Sequence, residues 1–408
     1  MRRVLVVHNR YRQRGGEDSV VEEEIRMLQA RGHEVRLFER SNFETDELSV
    51  WRVAVDALTN KAAVADFEAE LDAFAPDVIH VHNTWMRISP AVIRSAARRG
   101  VPVVQTLHNF RLTCPQGLML REGKPCESCV GRMVPWPAVV HRCYRGSMAQ
   151  SAMIATTLTV HRLAKTYRSG VDRFIALNEF CRHKMVEAGL PASRVVIKPN
   201  FMGPVPAPDP RQVREGGLFV GRLSDEKGLA TLTRAATIGQ WNKVTVVGNG
   251  EWLADVQRHP NLHAMGALSA DEVFSRMQRA GFLLLPSIWY ENFPRTIVEA
   301  YAAGLPVIAS RLGSMPSLVE DGVTGLLFEP GDAADLAEKV RWALDHPQAM
   351  QAMSAQARRT YEERYTSEVN YPQLMSIYQD AARHAAQRRG EIEVSAQAKA
   401  AKPCRNVE

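Results

Sequence analysis

RRVLVVH (2–8), EDSVVEEEIRMLQARG (17–32) and HEVRLFE (33–39) stand in succession near the start of the chain, and their periodicities decide the fold. The first is a short apolar run, the second places its apolar residues at helical spacing and ends in Gly32, and the third alternates as a strand does. Together they form one strand–helix–strand unit. The pattern returns in PDVIHVH, SPAVIRSAARRG and VPVVQTLHN (76–109), and in DRFIALN, EFCRHKMVEAGL and RVVIKPN (172–200). Repeated units of this kind predict a parallel sheet covered by helices.

The alternation stops at GPVPAPDPRQVREGG (203–217), where four prolines predict a linker. It resumes with GLFVG, GLATLTRAATIG and KVTVVGNG, and continues through GFLLLPS, RTIVEAYAAG and LPVIAS. The expected fold class is therefore α/β, with two doubly wound Rossmann-like domains facing a cleft. The expected boundaries are 1–202 for the first domain, 218–366 for the second, and 367–385 for a C-terminal helix packing back on the first. From 386 to 408 apolar periodicity is lost, and a disordered tail is expected.

At 408 residues, with 24% charged and 45% hydrophobic residues, the composition is that of a globular protein. The apolar run at the N-terminus is too short for a signal peptide, and no segment reaches the length of a spanning helix, so a cytoplasmic protein is expected. The basic surplus is local. Residues 111–170 carry nine Lys/Arg against Glu122 and Glu127 alone.

Ligands of tandem open α/β domains bind beyond the carboxyl ends of the strands, which directs attention to the loops there. FVGRLSDEKGLATL (219–232) sets Arg222 and Lys227 around a turn before a helix, either as a diphosphate site or as an exposed basic loop capped by Ser224. VVGNGEW (246–252) puts Gly248 and Gly250 at another strand end, where a missing side chain lets backbone approach a ligand. In ENFPRTIVEA (291–300) Pro294 suits the start of a helix, with Glu291 in the preceding loop and Glu299 more than one turn inside it. Spacing alone leaves both glutamates as readily surface residues as ligand contacts.

GRLSDEKG, VVGNGEW, ENFPRTIVEAYAAGLPVIAS and GSMPSLVEDGVTGLLFEPGD, in that order, resemble the retaining GT-B glycosyltransferases of family 4. The resemblance spans about 1–385 and is most specific over 218–340. It implies that Arg222 and Lys227 hold a donor diphosphate, that Glu291 meets the transferred sugar, and that Glu299 meets the nucleotide ribose. His108, in QTLHNF, takes the place of a histidine near that sugar. By the same resemblance Gly15 and Gly16, before Glu17, match a loop that approaches the donor phosphate and the acceptor, beside the plainer reading of a tight turn, and HAMGAL (263–268) matches the stretch where backbone meets the base. Pro294 departs from the family's frequent glycine and removes one backbone amide, leaving those of Asn292 and Phe293 as donors to the sugar. No Asp-x-Asp motif is present, which agrees with the metal-independent chemistry the resemblance implies.

Cys114, Cys126, Cys129 and Cys143 lie within thirty residues around a C-x-x-C, and are read either as a structural zinc site, as buried thiols, or as a redox group. Cys181 and Cys404 stand apart. Trp136 and Tyr144 among the basic residues of 130–168 suggest contact with an anionic membrane and a lipid-linked glycan acceptor, against the plainer reading of a solvated basic face. Nucleic acid is disfavoured because no recognition motif accompanies the charge. The expected function is transfer of a hexose, with retention, from a UDP- or GDP-linked sugar to a glycan in cell-surface polysaccharide synthesis. The alternatives are a GT-B nucleotide-sugar epimerase and a non-catalytic sugar-nucleotide or glycan-binding protein.

Overall fold

In the computed structural model the chain is described except at residues 13–14, 46–49, 210–211, 242 and 401–408. Eight strands belong to the first half: β1 (Arg3–Arg10), β2 (Glu34–Ser41), β3 (Val78–Asn83), β4 (Val103–Leu107), β5 (Leu120–Arg121), β6 (Lys124–Pro125), β7 (Arg173–Ala176) and β8 (Val195–Ile197). Six follow: β9 (Gly217–Val220), β10 (Val244–Val247), β11 (His263–Gly266), β12 (Phe282–Leu285), β13 (Val307–Ser310) and β14 (Gly325–Phe328). The first large sheet runs β2-β1-β3-β4-β7-β8 and the second β11-β10-β9-β12-β13-β14, and the strand pairs of both are parallel. In each, strand order reverses beside the first strand, at β1/β3 and at β9/β12. Those switch points open the crevices where such sheets bind ligands.

The central strands are buried on both faces, which is why VLVV, VIHV and FLLL read as continuous rather than alternating apolar runs. Helix starts follow local chemistry. Asn178 caps the helix Glu179–Glu187 by accepting from Cys181 N, and Ser269 with Glu272 closes a capping box before Ala270–Arg279.

Insertion 111–170 carries regular structure of its own. It holds the β5–β6 hairpin and the helices Trp136–Val140, Met148–Leu163 and Thr166–Gly170. Ile154 and Leu158 of the longest helix pack with Trp85 and Ala57, so the insertion is seated on the first domain by its own apolar cluster.

A long helix, Ser367–Ala400, crosses back to the first domain. Leu374, Ile377, Tyr378 and Ala381 join Val4, Val6, Val78, Val104 and Ile175 in one core cluster. The expectation of disorder from 386 is corrected by this helix, which continues to Ala400. Its Ala-, Gln-, Arg- and Glu-rich composition favours helix even without apolar periodicity, and Arg388 anchors it 3.1 Å from Asp172. Cys404 lies outside the described residues.

The domains meet through a few polar contacts at strand ends. Asn178 donates to the backbone oxygen of Asn292, while Asn292 Nδ2 donates to Leu107 O at 2.6 Å. Arg295 reaches Glu23 at 3.7 Å, and the rings of Tyr290 and Phe180 meet edge-on at 4.8 Å. The loop after β12 is thereby held against the end of β4.

Candidate active site

On the second domain's side, Lys227 follows β9 and Glu291 follows β12, two strands paired at the switch point. Lys227 Nζ lies 2.6 Å from Glu291 Oε1, and Ser287 Oγ donates to the same oxygen at 2.7 Å. The ammonium also sits 5.3 Å from the centre of the Trp289 ring. Burial works against the Glu291 charge, but the Lys227 ammonium beside it holds the carboxyl below its ordinary range. The turn that delivers Lys227 needs a glycine next: Gly228 has φ +75°, and a Cβ there would meet Pro286 O at 1.8 Å.

The remaining second-domain residues divide. Arg222 is 60% exposed at its side chain and touches Glu226 at 3.0 Å, so it stands open to solvent rather than beside Lys227's partner. Glu299 is tied to Arg295 at 2.8 Å in the helix Arg295–Ala302, which begins one residue after Pro294, the residue expected to open it and here its N-cap. The backbone amides of Asn292 and Phe293 have no intramolecular acceptor among the described residues. Gly248, expected where backbone approaches a ligand, has a conformational reason of its own to be glycine. Its φ is +144° and a Cβ there would meet Gly221 O at 1.8 Å.

On the first domain's side, Gly15 N donates to Asp18 Oδ2 at 2.8 Å, and Gly16 sits 3.7 Å, measured from the place of a Cβ, from the Cβ of Arg295 across the cleft. Glu17 is enclosed beneath this loop. Burial, and then the neighbouring Asp18, push its carboxyl up to about 8. His108 follows β4, one residue after the carbonyl that receives Asn292, and lines a small cavity of about 50 Å³ with Trp85, Asn109, Arg111, Leu158 and His161. Insertion and sheet thus enclose a space beside the histidine.

Behind His108 lies a buried polar cluster that composition and motif reading missed: His8, Glu24, His80, His82 and Lys198. The signal was present in PDVIHVH, where two histidines spaced by two share one face of a strand whose alternate residues are valine and isoleucine, and in the lysine of RVVIKPN. Glu24, His80 and His82 bring three possible metal-ligand atoms within 4.8 Å of one another. The Lys198 ammonium, 3.2 Å from Glu24, already neutralises that carboxylate, and a divalent ion there would face a buried cation.

The four insertion cysteines converge from the turn after Phe110, the C-x-x-C after the hairpin, and the end of the helix Trp136–Val140. Cys129 is buried, and burial together with the nearby thiols of Cys114, Cys143 and Cys126 pushes its thiol up to about 11. No three of the sulfurs lie within 4.8 Å of one another.

Two sequence families match the chain in tandem. Residues 15–200 match the glycosyl transferase 4-like domain and residues 214–360 match the glycosyl transferases group 1. The glycogen synthase of Mycobacterium tuberculosis is 28% identical over 363 residues, spanning 85% of this chain and 78% of that protein. The sulfoquinovosyl transferase of Arabidopsis thaliana is 25% identical over 73% of this chain and 55% of its own length. Among solved structures, sucrose-phosphate synthase from Thermosynechococcus elongatus superposes with a TM-score of 0.67 at 18% identity, covering 93% of this chain and 98% of that one. HepE of Anabaena, solved in complex with UDP-glucose, superposes at 0.59 with 16% identity over 94% and 99% of the two chains.

Proposed function

From the premise that the chain belongs to the group 1 glycosyltransferases and has the GT-B fold, we propose that it transfers a hexose, with retention, from a uridine-diphosphate sugar to a lipid-linked glycan acceptor. The observation that carries this reading is the Lys227–Glu291 pair at the switch point of the second sheet, facing the strand end that bears His108. The UDP and UDP-glucose complexes of HepE, a protein of the same fold, favour uridine.

In this reading the diphosphate meets Arg222 and Lys227, and Glu291 underlies the sugar ring. A carboxylate kept ionised by its lysine opposes the positive charge that develops at the anomeric carbon as the bond to the phosphate oxygen breaks. The acceptor oxygen forms its bond on the same face, and its proton passes to the departing phosphate oxygen. Free amides at Asn292 and Phe293 are placed to donate to sugar hydroxyls. Glu299 serves the ribose once it leaves Arg295. The chemistry asks for no divalent cation, since two cationic side chains and helix-end amides supply the counter-charge.

The acceptor's lipid is argued from the insertion. Trp136, 53% exposed, and Leu163, 64% exposed, share the insertion's surface with exposed Met133, Val134, Val140 and Met148. Arg132, Arg142, Arg145, Lys165 and Arg168 are exposed among them. Exposed apolar side chains interspersed with cations along the insertion complement anionic headgroups, and the cavity beside His108 is lined in part by the same insertion. No helix among the described residues is long and apolar enough to cross a membrane.

Calorimetric titration of the EDTA-treated protein with UDP and with GDP tests the donor site. Binding of UDP in preference to GDP, lost in Arg222→Ala and Lys227→Ala, is expected. Equal or absent binding of both removes the uridine reading. Conversion of UDP-glucose to another free nucleotide sugar without acceptor would establish the epimerase instead. For the membrane contact, flotation with vesicles containing anionic phospholipid is expected to carry the protein in low salt only, and Trp136→Ala to weaken it. Equal recovery with neutral vesicles would refute that contact.

A further inference from the structure

His108 is backed by a chain of buried groups that ends in an ion pair. His108 Nε2 lies 2.9 Å from His82 Nδ1, with the two rings nearly parallel at 20° and centres 5.2 Å apart. His82 Nε2 lies 3.4 Å from Glu24 Oε1, and Lys198 Nζ lies 3.2 Å from Glu24 Oε2. His82, Glu24 and Lys198 are all at least 95% buried. Water therefore does not compete for these contacts.

Each link constrains the next. Burial opposes the Glu24 charge, but His80 and Lys198 beside it hold the carboxyl well below its ordinary range, so Glu24 is a carboxylate and only accepts hydrogen bonds. Burial, and then His80, keep His82 neutral, its ring pulled down to about 3. His82 Nε2 makes no closed hydrogen bond among the described residues, its neighbouring acceptor being Glu24 Oε1 at 3.4 Å, and an unpaired buried ring nitrogen is costly. The single proton of His82 therefore belongs on Nε2, facing Glu24, which leaves Nδ1 bare. A bare Nδ1 must receive a proton donor, and the one in reach among the described residues is Nε2–H of His108 at 2.9 Å.

We propose that His82 and Glu24 are positioning residues that dictate the tautomer of His108, with its proton on Nε2 toward His82 and its Nδ1 bare as a hydrogen-bond acceptor for a hydroxyl entering the cleft. His108 is itself held neutral, by burial first and then by His82 and His8. The other groups facing the chain do not reverse it. His8 is engaged by Asp18 at 2.8 Å; His80 Nδ1 lies 2.7 Å from the same Glu24 Oε1 and 2.8 Å from Tyr378 Oη, with its Nε2 2.8 Å from Thr106 Oγ1, so it shares the carboxylate with His82 without touching His82 Nδ1 or His108 Nε2. The proposal rests on the reading of His108 as a cleft residue, but its test needs no donor, acceptor or turnover.

The test is long-range proton–nitrogen NMR of the full-length protein labelled at histidine nitrogens, with His82→Gln and His108→Gln used only to assign the two rings. In the wild type both rings are expected to show a protonated Nε2 and a bare Nδ1. Glu24→Gln is expected to invert both. Lys198 must donate to the amide oxygen, which turns the amide NH₂ toward His82 Nε2, moves the His82 proton to Nδ1, and shifts that of His108 from Nε2 to Nδ1. His82 protonated on Nδ1 in the wild type would overturn the proposal. A metal bound by Glu24, His80 and His82 would produce that same pattern, so the wild-type spectrum decides even if the variant does not fold. A folded Glu24→Gln protein with unchanged tautomers would overturn it equally.

Discussion

Lys227 and Glu291 lie in different motifs 64 residues apart and form an ion pair at 2.6 Å, with the glutamate side chain only 7% exposed. Read separately, they were a phosphate cation and a sugar carboxylate. Paired, each sets the other's charge. Lys227→Ala leaves a buried carboxylate without its cation, and is expected to destabilise the protein by about 2 kcal/mol, somewhat under the range for fully buried pairs because the lysine is partly exposed. Lys227→Met combined with Glu291→Gln should recover most of that loss in urea unfolding while remaining without transferase activity. A single variant as stable as the wild type would show that the pair carries no structural weight.

Glu17 and Glu291 predict opposite pH responses. Glu17, raised to about 8, holds its proton more tightly folded than unfolded, so its contribution is present below the ordinary carboxyl pKa and is lost as pH rises toward 8. Glu291 is depressed, so its contribution is present above the ordinary carboxyl pKa and is lost as pH falls through its folded value. Thermal unfolding followed from about pH 5 to about pH 9 should therefore fall less steeply with rising pH in Glu17→Gln than in the wild type. Identical slopes would place Glu17 in contact with solvent.

Both sheets were legible because parallel, doubly covered strands are apolar throughout, and because glycine and proline punctuate their ends. Candidate residues were legible as positions after strands, but their partners were not. Spacing along a chain carries no record that Glu291 would turn to Lys227, or that Gly248 would make room for Gly221 O. His80 and His82 were visible in sequence, yet what they do depends on Glu24 from one helix and Tyr378 from another, which only packing brings together.

The C-terminal helix supplies part of the first domain's core. Ending the chain after 366 removes Leu374, Ile377, Tyr378 and Ala381 and uncovers Val4, Val78 and Val104, together with the bonds of His384 and Arg388 to Asp172. Exposing several such side chains, at about 1.5–3 kcal/mol each, exceeds the stability of an ordinary domain. The truncated protein is expected to be insoluble. Ending the chain after 390 keeps every one of these contacts and should leave unfolding unchanged. A soluble, cooperatively folded 1–366 fragment would show that the helix is an accessory.

The four insertion cysteines stand on separate local supports: Gly117 N bonds back to Cys114 O, Cys126 N to Met119 O, and Cys143 N to Ala138 O. That arrangement presents four thiols to one another without closing a disulfide, each described cysteine being free. With no three sulfurs inside 4.8 Å, a tetrahedral ion would have to draw the side chains inward. Protein expressed with zinc is expected to carry about one equivalent per chain by elemental analysis. Cys126→Ser with Cys129→Ser should lose it, and should raise proteolysis within 111–145 while leaving UDP affinity nearly unchanged, because the insertion is seated separately on Trp85 and Ala57. Protein that holds no zinc after such expression, and whose thiols all alkylate once unfolded, would assign the cluster as reduced cysteines serving the packing of the loop.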